Sequence, residues 1–187
     1  MDAREFMSSF QNIFTEKREK AITTYYSNSV FTSFITEELN GILAQKEYKK
    51  QNEYFRIDAI RWSEKAKSII KTPGVSLKKH LWDLEIAVEH ENDPLDWMDE
   101  VVKLSHIACP LRVVIGYMPW DKREDDQKYL DHVAKWIETL TCKDNIQKGE
   151  FLIILGNCNT EGQVERYFNY KGYLLNPKSF RFEMLKS

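Results

Sequence analysis

The chain has 187 residues, of which 42% are hydrophobic and 30% charged, and a formal net charge of −2. These values are typical of a globular protein of about one domain. The seven glycines and five prolines exclude collagen-like and low-complexity chains. The longest wholly apolar runs, such as residues 151–155, are far shorter than the roughly 20 residues that cross a bilayer. Three widely spaced cysteines without a CxxC pair argue against a zinc knuckle or a disulfide framework.

The start of the sequence, MDAREFMSSF, lacks the basic-then-apolar layout of a signal peptide. Together with the cysteine pattern, this predicts a cytoplasmic protein with reduced thiols and no membrane association. The charges are unevenly distributed. Residues 46–79 carry ten Lys or Arg and four acids, whereas residues 83–100 carry eight acids and no Lys or Arg. Two adjacent blocks of opposite sign suggest a role beyond solubility.

The first 45 residues have the periodicity of α-helices. A helix predicted over residues 29–45 has an apolar stripe of Phe31, Phe34, Ile35, Leu39 and Ile42. At about 100° per residue, Glu38 falls in the middle of that stripe. A carboxylate there costs several kcal/mol unless it is paired or binds a metal. The alternative is a helix face that stays partly exposed.

The period then changes to that of β-strands. We predict a central sheet with strands at residues 54–61, 81–91, 111–117 and 151–155, the last two being almost continuously apolar, as in buried strands. Helices are predicted over residues 93–108, with Asp93 as N-cap and Pro94 in the first turn, and over residues 121–141. Short strands are expected from residue 165 onward. The fold class is therefore α/β, with a mixed central sheet flanked by helices.

The strand at residues 80–91 alternates between apolar and acidic side chains. Glu85, Glu89 and Glu91 share one face, and His90 lies on the apolar face, which favours a core histidine. The acidic face has two interpretations. It is either the solvated outer face of an edge strand or part of a metal site, because Mg²⁺ prefers oxygen ligands and usually takes one or two carboxylates.

Two further residues stand out. Asp58 lies inside a predicted strand, a position where Asp is disfavoured. It is either an exposed residue paired with Arg56 or Arg61, or a functional acid. Lys103 lies off the apolar stripe of its helix, and an ion pair with the acids three and four residues earlier would explain it.

The connection at residues 63–79 is rich in lysine and contains the turn signal Pro73-Gly74. Its lysines either follow a nucleic-acid phosphate backbone or form a solvated loop. The sequence has no Gly-rich phosphate loop, no GxSxG and no HExxH motif. The candidate phosphate-contacting residues are Lys65, Lys67, Lys71, Lys78 and Lys79.

The order of these features resembles the PD-(D/E)xK restriction-endonuclease-like nuclease superfamily. A helical Glu is followed by a strand Asp, a long turn, a Glu-x-Glu strand, a helix and a buried strand, over residues 29–118 and the helix and strand that follow. The resemblance implies that Asp58 and Glu89 bind a metal, with Glu38 completing the site. It departs from the family at Glu91, where a Lys is expected, and at Ile57, where a Pro often precedes the Asp. Some members carry the Lys on the following helix, and Lys103 is the candidate here.

The family chemistry is metal-dependent hydrolysis of phosphodiester bonds, with Mg²⁺ or alternatively Mn²⁺ as cofactor. Glu91 would then act beside the attacking water, and Lys103 would stabilise developing charge. The resemblance implies one restriction-endonuclease-like domain over residues 1–187. It would consist of a helical part (1–45), an α/β core (53–158) and a β-rich tail (165–187). The expected partner is nucleic acid, DNA in the first instance, and a homodimer is compatible with the pattern.

Two alternatives remain open. The chain could be a nuclease-like module that binds nucleic acid or a protein without cutting, in which case it takes up no metal. It could also be an interaction protein whose acidic strand is an ordinary exposed face, in which case it has no affinity for DNA at low salt. If the site is a nuclease centre, Asp58, Glu89 and Glu91 should converge, with Glu38 approaching from its helix. Their proximity would raise the pKa values of these acids, because like charges oppose ionisation.

Overall fold

A seven-stranded mixed sheet forms the centre of the protein, with helices against both of its faces. The structure is a computed structural model that describes residues 1–44, 48–54, 56–63, 83–140, 143–158, 162–163 and 166–185. This arrangement confirms the predicted α/β class with a mixed sheet flanked by helices.

The strands are numbered in chain order. They are β1 (Lys49–Tyr54), β2 (Ile57–Ser63), β3 (Asp83–His90), β4 (Leu111–Pro119), β5 (Glu150–Cys158), β6 (Lys171–Asn176) and β7 (Arg181–Met184). The α-helices of the described residues are α1 (Ala3–Glu16), α2 (Arg18–Tyr25), α3 (Asn28–Leu43), α4 (Trp97–Ser105), α5 (Asp126–Thr139) and α6 (Lys143–Ile146). A 3-10 helix (Trp120–Asp125) leads into α5.

The order of strands in the sheet follows their order in the chain. The pairs β1–β2 and β2–β3 are antiparallel, β3–β4 and β4–β5 are parallel, and β5–β6 and β6–β7 are antiparallel again. The three parallel strands therefore end at the same edge of the sheet. Side chains that follow β3, β4 and β5 meet at that edge.

The two faces of the sheet are covered by different helices. On the first face, which we call the α1–α3 face, Ala59, Ile86 and Val88 pack in one core with residues of α1, α2 and α3. On the second face, the α4–α6 face, Ala87 and Val114 pack with residues of α4, α5 and α6. The predicted alternation of the 80–91 strand is confirmed for residues 86–88, whereas Leu84, which strict alternation places with Ile86, packs in the second core. The pairing register of β2 and β3 shifts between Arg61 and Trp62, beside Leu84.

Local sequence signals explain the ends and the packing of several helices. Helix α1 begins with a capping box in which Asp2 and Glu5 exchange hydrogen bonds with each other's backbone N–H. Helix α4 lies so close to β4 that a Cβ built on Gly116 would be 2.3 Å from the Cβ of Trp97. Only glycine fits at residue 116, and this close approach sets how far α4 stands from the sheet.

The predicted strand at residues 54–61 is wrong in its first half. Tyr54 belongs to β1 and pairs with Ile57 of β2 across a tight turn. Arg56 in that turn has a left-handed backbone, with φ of 63°. Hairpins with two-residue loops commonly need such positive φ values, because these turns match the twist of the strands.

Two predicted helices begin later than expected. The helix expected from Asp93 begins at Trp97, because Leu95 has φ of 75° and interrupts regular helix. The helix expected from Asp121 begins at Asp126, after the 3-10 segment.

Within the described parts of the chain, we find no helix with the length and apolar character that crossing a membrane requires. Both cysteines that the structure describes, Cys109 and Cys158, are free thiols.

Candidate active site at the end of strands β2 and β3

Asp58 and Glu89 lie opposite each other where β2 and β3 come together. The last printed pair of the ladder on that side is Ala59 with Val88, so one further step in antiparallel register brings Asp58 beside Glu89. The backbone N–H of His90 donates to Asp58 Oδ2 at 2.7 Å, which holds the Asp58 carboxylate against β3. The predicted neighbourhood of these two acids is therefore present.

Lys103 reaches this pair from α4. Its Nζ lies 2.8 Å from Glu89 Oε1 and 2.5 Å from Glu100 Oε2, and it donates a hydrogen bond to the Arg56 carbonyl at 2.8 Å. Arg56, which provides this carbonyl, has a left-handed backbone with φ of 63°. The expected ion pair within α4 is the one between Lys103 and Glu100. Lys103 also contacts Glu89, an acid of the site in which the resemblance places this lysine.

Glu89 is buried, with only 2% of its side chain exposed. It is thus not part of a solvated outer face. The pKa of Glu89 is raised to about 8, chiefly by burial. Contact with Lys103 lowers the pKa, and the negative charges of Asp58 and Glu100 add to the rise. The expected rise in pKa is confirmed for this acid, but desolvation contributes more to it than repulsion between carboxylates.

Lys103 stays cationic in this setting. Burial by itself lowers its pKa, but hydrogen bonds to Glu100 and Glu89 and their negative charges more than offset that effect, so the pKa is raised. About a third of its side chain remains exposed. A charged ammonium therefore stands at the junction of a buried acid and solvent.

Glu91 has a different local role. It follows the last residue of β3, and its Oε1 accepts a hydrogen bond from the Asp93 backbone N–H at 2.8 Å. Its own N–H donates to the Ile115 carbonyl of β4 at 2.9 Å. Glu91 lies next to the site in sequence, and its carboxylate supports the turn that leads toward α4.

Glu38 does not join the other acids, which corrects the expected convergence. It is buried on α3, which packs on the α1–α3 face, whereas Lys103 approaches Glu89 from α4 on the other face. Both Glu38 oxygens accept hydrogen bonds from Lys17 Nζ at 2.7 Å. The helical pattern located a buried acid correctly, but its charge is balanced by a lysine between α1 and α2.

The five lysines expected to contact phosphates, at positions 65, 67, 71, 78 and 79, lie outside the described residues. His90 is a core residue, as its strand face predicted. Its Nε2 lies 2.9 Å from the Tyr117 hydroxyl, and burial lowers its pKa to about 3. His90 lies between Glu89 and Glu91 in the sequence, and its neutral imidazole is on the α1–α3 face, where it contacts Phe31 and Tyr117.

The donor set suits a hard divalent cation. Asp58 and Glu89 supply carboxylate oxygens, and Mg²⁺ commonly binds proteins through one or two carboxylates while it keeps several waters. An ionised Glu89 is costly at this buried position, so a bound cation would relieve that cost. Within the described part of the chain, however, no three His, Cys, Asp or Glu side chains converge as a ready-made metal cage.

Sequence reasoning missed three parts of the site. Glu100 appeared only as an ion-pair partner for Lys103, whereas it also raises the pKa of Glu89. The Arg56 carbonyl and the His90 N–H belong to the backbone, so no residue pattern reveals them.

Comparison of the chain with protein-family models, with curated proteins and with solved structures finds no match.

Proposed function

We propose that the protein is a Mg²⁺-dependent nuclease that hydrolyses phosphodiester bonds of nucleic acid, with DNA as the expected substrate. One observation carries the proposal. Asp58 and Glu89 lie opposite each other on adjacent strands, and Lys103 of the following helix contacts Glu89 at 2.8 Å. Asp58, Glu89 and Lys103 are the two acids and the lysine that the sequence resemblance implies for the active site.

The element order supports the same proposal. Helix α3, strand β2 with Asp58, strand β3 with Glu89, helix α4 with Lys103 and the buried strand β4 follow one another along the chain. The acids come from rigid, paired strands rather than from loops, which favours a site with fixed geometry.

Each residue has a definable task in the reaction. Asp58, fixed by the His90 N–H, and Glu89 would hold Mg²⁺, which when bound polarises the scissile phosphate and acidifies a water ligand. Lys103 supplies a positive charge beside Glu89, where it can stabilise negative charge that develops on the phosphate. Burial of Glu89 excludes water and strengthens these electrostatic contacts.

The deciding experiment is a cleavage assay on supercoiled plasmid and on single-stranded DNA with Mg²⁺, Mn²⁺ or EDTA. We expect cleavage with either metal and none with EDTA. Glu89→Gln should abolish it, because the amide cannot supply an anionic ligand. Asp83→Asn provides the matched control, since Asp83 is an exposed acid of the same strand. Equal activity in Glu89→Gln and the wild type, or no cleavage under any of these conditions, would refute the proposal.

A module that binds nucleic acid without cutting is the second candidate. It is favoured by the ion pair itself, because Lys103 already balances part of the charge of Glu89 and Glu100. Calorimetric titration with Mg²⁺ and Mn²⁺ separates the two candidates. Metal uptake that Glu89→Gln eliminates supports the nuclease, whereas DNA binding without metal uptake supports the module.

A further inference from the structure

A recess distinct from the candidate active site opens at the carboxyl ends of the parallel strands, on the α1–α3 face. Its volume is about 300 Å³, at the lower end of the range for small-ligand sites. Open α/β sheets commonly bind ligands beyond the carboxyl ends of their strands. The recess, which we call the aromatic pocket, is lined by the rings of Tyr25, Tyr26, Phe31, Tyr117 and Tyr167.

The aromatic wall is held in a defined arrangement. Tyr25 and Tyr167 stack with ring centroids 4.1 Å apart and planes 23° from parallel. The Tyr25 hydroxyl donates to the Asn157 carbonyl at 2.9 Å, and the Tyr167 hydroxyl donates to the Tyr26 hydroxyl at 3.0 Å. Tyr26 nevertheless remains 69% exposed. A fixed but exposed ring is suited to stacking against another planar group.

Polar side chains of fixed orientation complete the pocket. Asn157 lines it and donates through Nδ2 to the Arg166 carbonyl at 2.6 Å. Asn92 also lines it, and its Nδ2 donates to Thr32 Oγ1. Amide groups of this kind recognise the edges of nucleobases. None of the described lining residues is Lys or Arg, so the pocket is better suited to a neutral ring than to a phosphate.

The pocket adjoins the candidate active site along the chain. Asn92 directly follows Glu91, and the buried ring of His90 lies against Phe31, with centroids 6.4 Å apart, while its Nε2 lies 2.9 Å from the Tyr117 hydroxyl. At the end of β3, Glu89 therefore faces α4, whereas His90 faces α3 and packs behind the aromatic pocket. The pocket and the candidate active site therefore share one end of β3 but lie on opposite faces of the sheet.

We propose that the aromatic pocket takes an unpaired nucleobase of a single-stranded or locally opened nucleic acid. The choice of ligand rests on the nuclease function proposed above. The base stacks on Tyr26, and the half-buried Asn92 amide that lines the pocket contacts its edge. Stacking of this kind tolerates any base, because every base has a π-face.

Fluorescence anisotropy with a labelled single-stranded oligonucleotide in EDTA tests the proposal without cleavage. The comparison probes are the same oligonucleotide made entirely of abasic sites and a duplex of equal length, all at one salt concentration, because phosphate contacts depend on salt. We expect the wild type to bind the single strand about tenfold more tightly than the abasic strand, as one stacked base would give. Tyr26→Ala should lower the affinity for the single strand to the abasic level, and Tyr26→Phe should retain most of it.

Trp136→Ala is the matched control, because Trp136 is an exposed ring on α5, and it should bind like the wild type. Equal affinity of the wild type and Tyr26→Ala, equal affinity for the single and abasic strands, or no binding would overturn the pocket. A parallel cleavage assay keeps the two proposals separate. Cleavage by a protein that binds the single and abasic strands equally refutes the pocket alone, and tighter binding of the single strand without cleavage refutes the nuclease alone.

Discussion

Two buried glutamates, each paired with a lysine, lie on opposite faces of the same sheet, and their surroundings differ. Glu38 accepts hydrogen bonds through both of its oxygens from Lys17, and among the described residues this is the ion pair that Lys17 forms. Glu89 shares Lys103 with Glu100 and the Arg56 carbonyl and also lies beside Asp58. Lys17 therefore serves Glu38, whereas Lys103 is shared between two carboxylates and a carbonyl oxygen.

This difference separates a structural ion pair from a candidate reaction centre. Lys17, at the junction of α1 and α2, links these helices to α3 through Glu38. The carboxylate of Glu38 is thereby balanced without a ligand. At Glu89 two carboxylates share one lysine, so a further cation there would offset the cost of burying an ionised Glu89. The same residue types, at similar burial, therefore indicate different roles according to how many carboxylates share each cation.

The largest expected effect follows from removing an acid from the cluster. Asp58→Asn and Glu89→Gln should each reduce Mg²⁺-dependent cleavage by at least about a thousandfold, since metal ligands contribute several kcal/mol to the transition state. Glu38→Gln should keep near wild-type cleavage, because its carboxylate faces Lys17. Initial rates on plasmid DNA measure all three. Loss of cleavage in a folded Glu38→Gln protein would contradict the distinction between the two glutamates.

A smaller effect is expected for the two lysines. Lys103→Ala should lower the cleavage rate by about ten- to a hundredfold, as loss of one stabilising charge does. Metal affinity should be retained, because Asp58 and Glu89 remain. Lys17→Ala is the matched control and should leave the rate unchanged. Single-turnover rates combined with calorimetric metal titration separate the two steps. A Lys103→Ala protein that cuts at the wild-type rate would reduce this lysine to an ion-pair partner.

The sequence predicts the surroundings of Glu89 better than those of Glu38. Strand alternation has a two-residue period, so the opposite orientations of Glu89 and His90 and the core position of His90 follow from it. The meeting of Asp58 and Glu89 depends on how two strands pair, and only the family resemblance implied it. Helical periodicity located Glu38 as buried, but a helix pattern does not say which face of a sheet the helix covers. The Lys17 partner lies 21 residues away in another helix, beyond any local spacing rule.

The cluster's backbone contributors were also beyond the sequence. The Arg56 carbonyl reaches Lys103 only because a two-residue turn splits what reads as one continuous strand. Glu91 has the correct spacing for the motif, yet its carboxylate accepts the Asp93 N–H because β3 ends at His90. Spacing fixes which face a side chain shares, but the end of the strand decides what that side chain contacts.

A third effect, on stability, probes the cluster without metal or substrate. Burial raises the pKa of Glu89 from its ordinary value of 4.5 to about 8. Below pH 4.5 the folded and unfolded states both carry the proton. Between pH 4.5 and 8 the unfolded state loses it while the folded state retains it, so the folded state loses relative stability as the pH rises.

Glu89→Gln removes this dependence. Each unit of pKa shift corresponds to about 1.4 kcal/mol, so the free energy of unfolding of the variant should gain a few kcal/mol on that of the wild type between pH 5 and pH 9. Urea denaturation in EDTA at both pH values measures this difference. Asp83→Asn should follow the wild type, because its side chain is exposed. Parallel pH profiles for Glu89→Gln and the wild type would mean that Lys103 already compensates the buried charge, and the cluster would then resemble the Glu38 pair.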